Sequence, residues 1–137
     1  MANIHIDDFY KDAAKALVML YKHFPRKQVI YVEDISGTDT PDEFGLHSER
    51  HQACFSTLLW LAEHGYISYQ ETHNQETLEH TTLTHKAFVI LSTPQINHQL
   101  GANDNYQAQL VTALKDKSSL KIAQVMQSLM LHTEQHH

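Results

Sequence analysis

"STLLWLAEHGYISY", residues 56–69, decides the fold of this chain. Leu58, Leu61 and Ala62 fall on one helical face together with His51 and Cys54, flanked by Phe55, and that stripe is expected to look inward. Gly65 then offers a stop, since glycine accepts the left-handed backbone with which helices commonly end. Directly after it "YISYQE" (66–71) alternates as a strand does, "THNQ" (72–75) turns, and "ETLEHTTL" (76–83) can pair back antiparallel. A long helix hands over to a β-hairpin with a polar tip.

Upstream, the long helix is expected to begin near Leu46 to Ser48, with Ser48 as N-cap and Glu49 and Arg50 following. The preceding "SGTDTPDEFG" (36–45) has loop composition. "QVIYVEDI" (28–35) is dense in β-branched and aromatic residues, so it reads as a short strand, or one that passes into a helical turn around Val32 to Ser36. From Asp7 to His23 the apolar residues recur at three- and four-residue spacing, with Asp7, Asp8 and Asp12 near the positive end of the helix dipole and Pro25 as the stop. Downstream, Thr84 can cap a short helix over "HKAFVIL" (85–91) that Pro94 closes. Residues 93–103 read as a linker. Two further stripes, Tyr106, Leu110, Val111 and Leu114, then Leu120, Ile122, Ala123, Met126, Leu129 and Met130, predict a helical hairpin over 104–132 that turns near 115–119.

Composition narrows the classes. With 137 residues and 42% hydrophobic content the chain suits one domain with a helical appendage. No apolar run reaches the ~18–20 residues that span a bilayer. "MANIHIDDFYKD" lacks a leader pattern and a single cysteine fits a reducing compartment, so a soluble cytoplasmic protein is expected. The formal charge is −6, with −3 in residues 1–46, −3 in 47–92 and zero in 93–137. No third of the chain is basic, which argues against strong attraction to a polyanion.

The order helix, short strand, brief second helix, long third helix and two-stranded wing resembles the winged-helix variant of the helix-turn-helix. "LLWLAEHGYI" (58–67) looks like the end of the third helix entering the wing in bacterial winged-helix regulators, and "LTHKAFVIL" (83–91) looks like the exit from the wing. Ala87 stands where such families often carry glycine. The resemblance covers about residues 7 to 92 and implies an α+β winged-helix domain over 5–92, whose third helix would lie in a major groove.

Helical phase places Glu49, Gln52, Ala53, Ser56, Trp60 and Glu63 outward, with Arg50 and Thr57 at the margin. Arg50 and Gln52 have the chemistry to read bases, Ser56 and Thr57 to reach phosphates, and Lys86 is a further candidate cation. Against this, the wing carries Glu71, Glu76 and Glu79 without a Lys or Arg, and a duplex presents about one charge per 1.7 Å. Lys11, Lys15, Lys22, Arg26 and Lys27 cluster in the first helix and its exit, interleaved with acids. The expectation is therefore a non-enzymatic regulatory or adaptor module acting through protein contacts. The alternative is a sequence-specific DNA-binding regulator.

Trp60 lies nearly opposite Leu58, so either the wing or the C-terminal helices cover it or it belongs to an interface. Tyr106, Leu110, Leu114, Met126 and Met130 could supply that cover or form the seam of a homodimer. His47 and His51 stand one helical turn apart with Cys54 three further on, a spacing that can hold zinc and that also suits imidazoles satisfying backbone groups. Asp39, Asp42 and Glu43 could bind calcium or serve as acid and base, and equally suit a turn-rich loop. Cys54 reads as a core residue. No phosphate loop, serine elbow or paired-cysteine motif occurs, and no catalytic residue and no cofactor is expected. "HTEQHH" reads as an exposed tail or the remnant of a purification tag.

Overall fold

The computed structural model describes residues 4–97 and 102–135, which are α+β: six helices with small antiparallel sheets. The expected residues 98–101 of the linker, and His136 and His137, lie outside the described residues. Helix α1 (Ile4–His23) is the hub, packing against α3 (Glu49–Glu63), α5 (Tyr106–Lys115) and α6 (Ser119–Gln135). Its small residues Ala13, Ala14 and Ala16 are fully buried, which lets the neighbouring helices approach closely.

Strand β1 (Gln28–Tyr31) gives way directly to α2 (Val32–Ser36), the second of the two courses open to "QVIYVEDI". Val32 and Ile35 are buried, so two anchors hold a five-residue helix that propensity alone would not sustain. Strand β4 (Thr77–Leu83) is the centre of the sheet, pairing antiparallel with β1, β2 (Ile67–Ser68) and β3 (Glu71–His73). The β1–β4 register shifts between Gln28 and Ile30, where His80 takes a φ of +54° and β4 bulges. The three-residue turn between β3 and β4 holds Asn74 and Gln75 in the left-handed region at φ 53° and 57°, and the Glu76 N–H closes it on the His73 carbonyl at 2.8 Å.

The helix ends follow the sequence closely. Ser48 caps α3 by accepting from the His51 N–H at 3.2 Å. Gly65 leaves α3 with φ +81°. Thr84 caps α4 (His85–Ser92) by accepting from Ala87 N–H at 3.1 Å.

Two expectations change. The linker contains paired strands, β5 (Pro94–Asn97) and β6 (Ala102–Asn105), so Pro94 ends α4 and also begins a strand. The C-terminal hairpin, expected as an appendage that covers the core or forms a dimer seam, takes the first role so fully that it shares one core with the rest of the chain. Tyr106, Leu110, Met126 and Leu129 share one buried cluster with Leu17, Leu58 and Leu91. Each such side chain contributes about 1.5–3 kcal/mol on burial, so α5 and α6 help hold the fold together.

Candidate functional site

Two polar clusters and one apolar loop meet at the first turns of α3. The loop is ordered by Asp42, whose Oδ1 accepts from the N–H groups of Phe44 at 2.8 Å and Leu46 at 2.9 Å. Asp42 N–H in turn donates to Leu46 carbonyl at 2.8 Å, and Gly45 closes the turn at φ +79°. This small Asx-built turn leaves Phe44 79% and Leu46 60% exposed, among the largest apolar exposures of the described residues.

Below the loop lies a cluster of two imidazoles and a carboxylate. His47 and His51 are buried and stacked, with ring centroids 3.8 Å apart and 10° between planes. His47 Nδ1 lies 2.8 Å from Asp39 Oδ2, which also accepts the Ser48 N–H at 3.1 Å. Hydrogen bonds from Ser48 and then His47 hold the Asp39 carboxyl down to about 2, below its ordinary 3.8. His51 Nε2 lies 2.8 Å from the Gln75 carbonyl, so the cluster joins the loop, α3 and the β3–β4 turn. The sequence pairing of His47 with His51 is thus realised in space. Cys54 is not with them: it is fully buried, its thiol 4.0 Å from Val32 carbonyl and pushed up to about 12, first by burial and then by Asp12.

The other cluster closes α3 onto α1. Arg50 donates twice to Asp12, at 2.7 and 2.6 Å, and its Nε lies 3.5 Å from Asp8. Asp12 is 0% exposed. Its hydrogen bond is the main cause raising the Arg50 pKa further. Arg50, expected to read bases, is therefore committed to a buried carboxylate on its own chain.

The remaining candidates are dispersed. Gln52 is exposed, but its amide donates to His47 carbonyl at 2.8 Å. Ser56 is exposed. Thr57, expected at the margin of the outer face, is buried and donates to Ala53 carbonyl at 2.9 Å, which removes it from any phosphate-contacting set. Lys86 sits at the opposite end of α3, where a Cβ on Gly65 would come within 3.3 Å of its Nζ. It shares a cavity of about 340 Å³ with Trp60, Tyr66 and Thr133. Of the first-helix cations, Lys15 is half-buried and donates to Ile35 carbonyl at 3.2 Å. Burial, and then Lys11, lowers its pKa.

Trp60 is half-buried, covered by Phe9 of α1 edge-on at 5.1 Å and by His64 stacked at 3.9 Å. Its cover is intramolecular: Tyr66, at the entry to the expected wing, stacks on it at 6.1 Å, and Phe9 adds a contribution from α1 that sequence phase did not single out. Tyr106, Leu110 and Met126 are buried between helices and so cannot form a dimer seam, while Leu114 and Met130 are half-buried against the same core. On α6 the large apolar groups that face out are Leu120 at 69% and Leu131 at 58%. Among the described residues no helix is long and apolar enough to cross a membrane. No protein-family model, curated protein or solved structure matches the chain.

Proposed function

We propose that the chain is a non-enzymatic, cytoplasmic adaptor of winged-helix type that works through protein contacts rather than by reading DNA. Residues 5–92 supply the order helix, strand, short helix, long helix and hairpin that this reading requires, with α2 as a shortened second helix and β3–β4 as the wing. The partner surface is the Phe44–Leu46 loop beside the outer face of α3, where an exposed aromatic residue provides an anchor of the kind that carries most interface energy. Self-association is part of the proposal, and the outer face of α6 with Leu120 and Leu131 is where it would occur.

The observation that carries the proposal is the engagement of Arg50 by buried Asp12. Without that guanidinium, the outer face of α3 offers Glu49, Gln52, Ala53, Ser56 and Glu63, and the wing offers three glutamates and no Lys or Arg. A surface of that charge does not displace counterions from a duplex. Base reading by Arg50 would require breaking the Arg50–Asp12 pair and leaving an unpaired charge in the core.

A photo-crosslinking amino acid placed at Phe44, and separately at Ser56, tests this in cells. The expected result is a discrete protein adduct from position 44 that Leu46→Asp abolishes. Nucleic-acid adducts from position 56, with none to protein from position 44, would overturn the proposal.

A further inference from the structure

We propose that Asp39, His47 and His51 form a binding site for a divalent first-row transition ion of the zinc class, one that staples the 37–48 loop to α3 and to the β3–β4 turn. One ligand atom from each lies within 4.8 Å of the other two. Zinc–ligand bonds of ~2.0–2.2 Å place the donors of a tetrahedral site roughly 3.3–3.6 Å apart, inside that spread. Two imidazoles with a carboxylate select such ions over magnesium or calcium, which take oxygen donors.

Hydrogen bonding within the cluster accounts for His47 and Ser48 but not for His51. The Gln75 carbonyl can only accept, so His51 Nε2, 2.8 Å away, carries a proton and donates it. That leaves Nδ1 as a lone pair in the neutral ring. The atom is buried, has no hydrogen-bond partner, and faces Asp39 Oδ2 at 4.0 Å. A second proton on Nδ1 would not solve this, because 4.0 Å is beyond hydrogen-bond length. A nitrogen lone pair and a carboxylate oxygen facing each other at this range are satisfied together by a cation between them.

One outer contact is of the kind that orients a ligating histidine. A metal-bound imidazole donates its other N–H to a carbonyl or carboxylate. His51 Nε2 has such a partner in the Gln75 carbonyl, whereas His47 Nε2, 3.9 Å from Glu76 Oε1, is too far for a hydrogen bond and would have to approach it when the ion binds. Both rings thus present Nδ1 to Asp39 and turn Nε2 to the hairpin, and an ion bound between them displaces the proton that His47 Nδ1 donates to Asp39, which passes to Nε2 or to solvent. They lie 10° from parallel, so their in-plane lone pairs run side by side, and each ring must tilt about χ2 to converge on one ion. Three protein donors leave a fourth position for water. The site does not depend on the adaptor reading.

Cobalt(II) is the probe, because low-coordinate cobalt gives an intense visible ligand-field band. Titrated into the full chain, it is expected to saturate at one ion per chain, and zinc is expected to displace it. Asp39→Asn retains an oxygen for His47 and Ser48, so it preserves the loop while weakening the site. It should reduce cobalt affinity by at least the ~10–100-fold that even outer-shell losses cost, with an unchanged circular dichroism spectrum. His51→Gln should act likewise, and if it does not fold, Asp39→Asn alone decides. Replacing His136 and His137 with alanine should leave the band intact. The proposal is overturned if no band forms, if it survives Asp39→Asn at full affinity, or if it is lost with the terminal histidines.

Discussion

Arg50–Asp12 and the Asp39–His47–His51 cluster sit on neighbouring faces of the same helical turns, yet they are finished to different degrees. In the first, a bidentate guanidinium meets a fully buried carboxylate, with Asp8 alongside. In the second, Asp39 is met from two sides while a buried nitrogen of His51 faces it without a partner. A pair closed on itself contributes to folding and is withdrawn from recognition. A cluster with a donor still open is where the chain retains capacity for something further.

Removal of Arg50 is expected to have the largest effect. Arg50→Ala leaves Asp12 buried and unpaired, and chemical denaturation is expected to show a loss of about 3–5 kcal/mol. A loss under about 1 kcal/mol, the median for exposed pairs, would mean that the pair behaves as a surface ion pair and that Arg50 is available to ligands. Cys54 reports on the same closed side. With its thiol pushed up to about 12 from 9.0, its thiolate at pH 8 is roughly a thousandfold scarcer than in an exposed cysteine. Iodoacetamide should label it only after unfolding, and rapid labelling of the native protein would show that this face opens.

Effects on the other side are smaller. Ser48→Ala removes the hydroxyl that caps α3 at the edge of the imidazole cluster, and should lower stability by about 1 kcal/mol in denaturant melts. Asp39 contributes a pH-dependent part of the stability. Its carboxyl is held to about 2 in the folded chain against an ordinary 3.8, so the ionised form favours folding. That contribution is complete above about pH 4 and is lost as the pH falls through 2. The difference in melting temperature between the natural chain and Asp39→Asn should therefore shrink over that interval, and a difference constant with pH would contradict the assignment.

Much of the frame was legible in the sequence because its signals are local. Ser48, Gly65 and Thr84 mark helix ends through their own backbones, and helical phase correctly turned Glu49, Gln52, Ala53 and Ser56 to solvent. What remained hidden depends on distance along the chain. Asp12 reads as one of three acids at a helix N-terminus, and nothing in its neighbourhood announces a partner 38 residues later. Asp39 reaches His47 only because the intervening loop folds back on Asp42. The stripes of α5 and α6 are realised apart from Leu120, which faces out, but an amphipathic stripe does not say whether its partner is the same chain or another copy. Phe44 and Leu46 did carry a signal, two large apolar residues within a polar loop.

Titration of mixed-sequence fluorescent duplex DNA with the purified chain at low salt, read by anisotropy, tests the central claim most directly. Sequestered Arg50 and an anionic hairpin predict no saturable rise, and none gained by removing Glu71, Glu76 and Glu79 one at a time. Saturable binding that weakens steeply with salt and is lost in Ser56→Glu would contradict it, and would place the outer face of α3 in a DNA groove.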